Sequence, residues 1–137
     1  MSEYLTVYIG FGQRRSEDEP LHWIFMYAPE GEEEICTWIH VTGSPKSGYQ
    51  LQIQAGKRLN SFGISRKQPI GKIPATEEGR IKGIAKTIPM QRCQRWTTAL
   101  VAKLEEKGFL SKGVAEDLEK QIEPAPYDQQ VAGGSGS

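Results

Sequence analysis

The chain has 137 residues, with 17 Lys+Arg against 17 Asp+Glu and 37% hydrophobic residues. That length and composition predict one soluble globular domain with a core of its own. Balanced charge gives no general attraction to nucleic acid or to an anionic membrane. No apolar run approaches the roughly 18 residues of a membrane helix, and Met1-Ser2-Glu3-Tyr4-Leu5 does not open a signal peptide, so a cytoplasmic chain is expected.

The first half reads as strands. Tyr4 to Phe11 is aromatic and β-branched, and a charged loop from Gln13 to Glu19 follows. Leu21 to Ala28 and Ile35 to Thr42 form two further runs, the second closed by Gly43-Ser44-Pro45. Tyr49, Leu51 and Ile53 alternate with Gln50, Gln52 and Gln54, the period of a half-buried strand. Short pieces near Phe62–Ile64 and Ile70–Ile73 add further strand. The short connections predict antiparallel pairing.

The second half reads as helices. Thr76 is a candidate N-cap before Glu77 and Glu78, and Ile81, Ile84, Ala85 and Ile88 form a stripe that Pro89 ends. Cys93, Trp96, Thr97, Leu100, Val101 and Leu104 form a longer stripe, with Gly108 as its stop. Val114, Leu118 and Ile122 mark a third helix beginning near Ser111. The fold class is α+β, an antiparallel sheet packed against C-terminal helices. One domain is expected over 1–122, followed by a flexible tail at 123–132 and a Gly/Ser linker at 133–137.

Two His and two Cys without metal-ligand spacing leave no expected metal site, and no glycine-rich cradle supports a nucleotide cofactor. One constellation carries chemistry. Cys93 stands in the first turn of the best-defined helix, where the dipole and unpaired amides favour thiolate, and Arg92 and Arg95 push the same way. His22 and His40 lie on consecutive predicted strands, which can set them side by side. Together the three supply a nucleophile, a base and a group that orients the base. Against this, Cys93 shares its stripe with core residues, and a buried free cysteine is commonly packing. Cys36 reads as strand filler, and Glu32-Glu33-Glu34 as a solvated loop. Pairing of Cys36 with Cys93 in a disulfide is the reading for an exported chain.

The segments His22-Trp23-Ile24-Phe25-Met26-Tyr27, Trp38-Ile39-His40-Val41-Thr42-Gly43 and Arg92-Cys93-Gln94-Arg95-Trp96 resemble the circularly permuted papain-like fold. That group holds lecithin:retinol acyltransferase-like proteins, permuted thiol peptidases and small fungal domains of unknown function. The likeness spans about Tyr4 to Leu110. It implies Cys93 as nucleophile, His22 as general base and His40 as the base-orienting residue. Acyltransferases of this group carry Asn-Cys-Glu-His at the helix start, where this chain has Arg92-Cys93-Gln94-Arg95, so that branch is not indicated. The expected function is acyl transfer through a covalent acyl-enzyme, by a hydrolase or an acyltransferase acting on a peptide or small acyl substrate. The Cys93 amide is the expected first oxyanion donor, with Gln91 or a strand tyrosine as partner. The alternative is a non-catalytic intracellular interaction domain working through the loops Gln13–Glu19 and Lys57–Lys67, the latter carrying Lys57, Arg58, Arg66 and Lys67. Oligomeric state is open.

Overall fold

The structure, a computed structural model, describes residues 3–12, 21–44, 46–61 and 63–123. The predicted loop Gln13–Glu19, together with Pro45, Phe62, residues 124–132 of the tail and the linker, lies outside them.

Five strands make one antiparallel sheet: β1 (Tyr4–Gly12), β2 (Trp23–Pro29), β3 (Ile35–Ser44), β4 (Gly48–Arg58) and β5 (Ile64–Pro74), in the order β4-β3-β2-β1-β5. The predicted strand starting at Leu21 begins instead at Trp23. The two short pieces near Ile64 and Ile70 are one continuous β5, because β1 offers it a partner along its whole length, from Gly12↔Ile64 to Tyr4↔Pro74. Lys57 and Arg58 therefore close β4, while Arg66 and Lys67 sit within β5. Two of these expected loop cations lie over rings: the Lys57 ammonium 4.5 Å from the centroid of Trp38, and the Arg66 guanidinium 3.9 Å from that of Phe11. Strand pairing governs these residues, β4 with β3 and β5 with β1, so the four cations of the alternative reading stand on strands and not on a free loop.

Three helices follow: α1 (Glu78–Thr87), α2 (Cys93–Glu106) and α3 (Val114–Glu119). Thr76 is not the N-cap of α1. It lies inside a 3₁₀ turn, Ala75–Glu77, that carries the chain directly off β5, and the cap position falls to Glu77. Gly108, with φ +85°, follows the last turn of α2 as predicted.

Strand alternation gives the sheet two different faces. Trp23, Phe25, Tyr27, Ile39 and Val41 belong to one core with Ile81, Trp96, Leu100, Val101 and Leu104, so this inner face carries the helices. Ile24, Met26, Ala28, Cys36 and Leu59 form a separate outer cluster. Two strands approach closely there: a Cβ on Gly10 of β1 would stand 2.4 Å from the Met26 sulfur. At the β3–β4 hairpin, Gly43 has φ +105°, and a Cβ on it would meet the Gly48 carbonyl oxygen at 2.0 Å. Tyr27 ties sheet to helix by donating its hydroxyl to Glu78 Oε2 at 2.8 Å.

Leu100 is fully buried between helix and sheet. Leu100→Ala is expected to destabilise the fold by about 2–5 kcal/mol through lost burial and the cavity left behind. Tyr27→Phe should cost about 1 kcal/mol by removing the hydroxyl that Glu78 accepts from. Urea unfolding of the two variants beside wild type measures both.

Candidate active site

The start of β2 is built by competition between two layers. Trp23 is buried in the inner core, its indole edge-on to Phe11 at 5.4 Å. With Trp23 facing inward, alternation turns His22 to the outer face. Gly12 lies across from it on β1, where an added Cβ would come 3.3 Å from His22 Cβ, so the glycine leaves room for the imidazole. The Gly12 amide donates to the His22 carbonyl at 2.7 Å.

In an extended chain, backbone groups point alternately toward the two neighbouring strands. Since the His22 carbonyl is bound to β1, the Leu21 carbonyl and the Trp23 amide face β3. They do not pair with it. The β2–β3 ladder runs from Tyr27↔Thr37 to Phe25↔Ile39 and goes no further, although β3 continues alongside β4 to Ser44. The strands part at this end, and the first turn of α2 occupies the slots. Gln94 Nε2 donates to the Leu21 carbonyl at 2.9 Å, Cys93 Sγ lies 4.0 Å from the same oxygen, and the Trp23 amide hydrogen-bonds the sulfur. Backbone groups the ladder would have paired are thus satisfied by a side-chain amide and a thiol.

On the other side of this parting stand the histidines. His22 Nε2 and His40 Nδ1 are 2.7 Å apart, and His40 Nε2 is 3.0 Å from Gln54 Oε1 on β4. The order of protons along this chain follows from its far end. The Gln54 carbonyl oxygen accepts, so His40 carries its proton on Nε2 and offers a lone pair at Nδ1. His22 then donates from Nε2, which leaves its Nδ1 with a lone pair. Nδ1 is the ring nitrogen nearer its own backbone, the stretch against which Cys93 Sγ lies. His40 is buried, and that burial holds its pKa below the usual 6.5; the bond to Gln54 pulls up, and Lys57 pushes down again. A neutral His40 is what the relay requires.

Each sequence-predicted residue can now be placed. His22 and His40 are in direct contact. Cys93 reaches the backbone on either side of His22 from the helix layer, and its own hydrogen bonds run to that backbone. The expectation of an acidic thiol is corrected: burial pushes the Cys93 pKa up, and the Trp23 amide, Arg92 and the amides of Gln94 and Cys93 only partly offset it. A helix N-terminus favours thiolate, but removal from water is the larger effect here. The Gln91 amide nitrogen lies 3.5 Å from the Pro89 carbonyl. Tyr27 is engaged by Glu78. Cys36 and Cys93 are both free thiols, one in the outer cluster and one on α2, which sets aside the disulfide arrangement. Gln54 and Gln94 were missed as site residues. Gln54 falls in an alternating glutamine series that looks like a solvent face, and Gln94 follows a cysteine whose own stripe drew the attention.

Among the described residues, no group of three or more His, Cys, Asp or Glu side chains is placed to hold a metal, and no helix is long and apolar enough to cross a membrane.

His40 should titrate with a midpoint below 6.5. Burial lowers its folded pKa below the unfolded 6.5, so stability is full above 6.5 and falls as the pH drops from there through the lower folded midpoint. Ring C–H chemical shifts followed from pH 8 to pH 4 report the midpoint; a value at or above 6.5 would remove the neutral acceptor from the relay.

The chain belongs to a family of unknown function (DUF6540), whose model matches residues 4–111. That span holds all five strands, α1, α2 and each of Cys93, His22 and His40, and it stops short of α3. No curated protein and no solved structure matches the chain.

Proposed function

We propose that this member of the family is a cysteine acyl-transfer enzyme on a permuted papain-like fold, with Cys93 as nucleophile, His22 as general base and His40 as the residue that orients the base. The observation that carries the reading is the parting of β2 and β3. The thiol reaches that gap from the helix side and meets the backbone of Leu21 and Trp23, the residues on either side of His22, whose Nε2 is engaged by His40. The raised thiol pKa sets the order of events. The thiol is neutral at rest, so proton transfer to His22 Nδ1 accompanies attack of Sγ on the substrate carbonyl. The imidazolium so formed is stabilised through its Nε2–H bond to neutral His40. It then gives the proton to the leaving amine or alcohol as the carbon–heteroatom bond breaks, and a thioester remains on Cys93. Discharge to water makes the enzyme a peptidase or amidase, and discharge to an amine or alcohol makes it a transferase. The substrate is a peptide or small acyl compound, no cofactor enters the cycle, and two free thiols fit a reducing compartment such as the cytoplasm.

A second reading has one observation on its side. A non-catalytic interaction domain accounts equally well for a thiol made less acidic by burial. One experiment separates the two. On incubation with p-nitrophenyl acetate, the wild-type chain is expected to acquire one acetyl group on Cys93, located by peptide mass spectrometry. Cys93→Ala should abolish it, and His22→Ala should slow it by about 10²–10⁴-fold, the usual contribution of a positioned base. Equal acylation rates in wild type and His22→Ala would leave the interaction domain standing.

A further inference from the structure

Beyond the span that the family model covers, the chain returns to the site. Four hydrogen bonds meet at Glu123. The Leu21 amide donates to Glu123 Oε1 at 3.0 Å, and Gln94 Nε2 donates to the same oxygen at 3.3 Å. The Glu123 amide donates to Gln94 Oε1 at 2.6 Å, and Arg92 Nη2 donates to the Glu123 carbonyl. These partners belong to the two elements that create the gap: Leu21 immediately precedes His22, while Arg92 and Gln94 bracket Cys93. Gln94 and Arg92 are themselves buried. Gln94 therefore lies between the Leu21 carbonyl and the Glu123 backbone, with its amide satisfied at both ends.

We infer that Glu123 is a positioning residue, a clasp that fixes the Leu21–Trp23 segment against the first turn of α2 and so sets the separation between the Cys93 sulfur and the His22 ring. The domain accordingly extends at least one residue past the expected boundary at 122, because Glu123 is bonded into the site and does not begin a free tail. The kinetic part of this inference rests on the proposed Cys93–His22 pair, whereas the structural part stands without it.

The chemistry separates the side chain's role from the backbone's. Glu123→Gln keeps a carbonyl oxygen at the position of Oε1 and the same backbone bonds. Glu123→Ala keeps the backbone bonds alone. Two readouts are needed. Amide hydrogen exchange on the full chain should show the Leu21 amide exchanging about tenfold or more faster in Glu123→Ala, as expected on losing a bond to a charged acceptor, with Phe25, Ile39 and Leu100 unchanged. Glu123→Gln should restore most of the protection. Acylation by p-nitrophenyl acetate should fall about tenfold in Glu123→Ala with the same thermal midpoint, because a small misplacement of reacting groups is costly in rate, and it should recover in Glu123→Gln. Unchanged Leu21 exchange in Glu123→Ala would overturn the clasp. A uniform rise in exchange across the sheet would overturn it too, by showing a general loss of stability. Absence of acylation in the wild type would count against the proposed enzyme alone, since the exchange pattern still decides the clasp.

Discussion

The site depends on one backbone constraint: buried amides and carbonyls must find partners. Where β2 and β3 stop pairing, the Leu21 carbonyl and Trp23 amide face an opening and would be left unsatisfied. The first turn of α2 resolves this with the Gln94 amide and the Cys93 sulfur. A helix end has the opposite problem, since its first amides have no carbonyl within the helix. The start of α2 has no side-chain cap, and the amides of Gln94 and Cys93 there pull the thiol pKa down. Cys93 thus sits where two deficits of hydrogen bonding meet.

The same placement sets the electrostatics. Amides and the nearby Arg92 favour a charged sulfur, while enclosure between helix and strand disfavours it, and enclosure is the stronger influence. The histidine pair shows the related effect on a base: His40, withdrawn from water, stays uncharged and can accept from His22. Burial thus acts in the same sense on both groups, favouring the uncharged thiol of Cys93 and the uncharged ring of His40.

Much of the fold was legible because alternation and helical spacing are local. β1 to β4 follow from apolar runs and turn residues, and the inner stripe of α2 follows from Trp96, Leu100 and Leu104. Thr76 misled because a 3₁₀ turn moved the helix start, and β5 was split because its polar residues, Ser65 to Gln68, are held by β1 and not by an apolar pattern of their own. For the candidate site, the contact between the imidazoles of His22 and His40 follows from adjacent strands, while the roles of Cys93, His22 and His40 belong to the proposal. The parting of β2 from β3 could not be read, since it arises from the insertion of a helix seventy residues later in the chain, roughly speaking. Gln54 and Glu123 escaped for the same reason: each matters only through a residue brought near by tertiary packing.

The close passage of Gly10 over the Met26 thioether sets a limit on the outer layer. Met26 is fully buried, and its sulfur already fills the space a single methyl on Gly10 would need. Sulfoxidation would put a polar oxygen into this apolar outer cluster. An oxidant reaches that sulfur only when the side chains packed around it give way, and the added oxygen would then loosen the outer layer over Gly10.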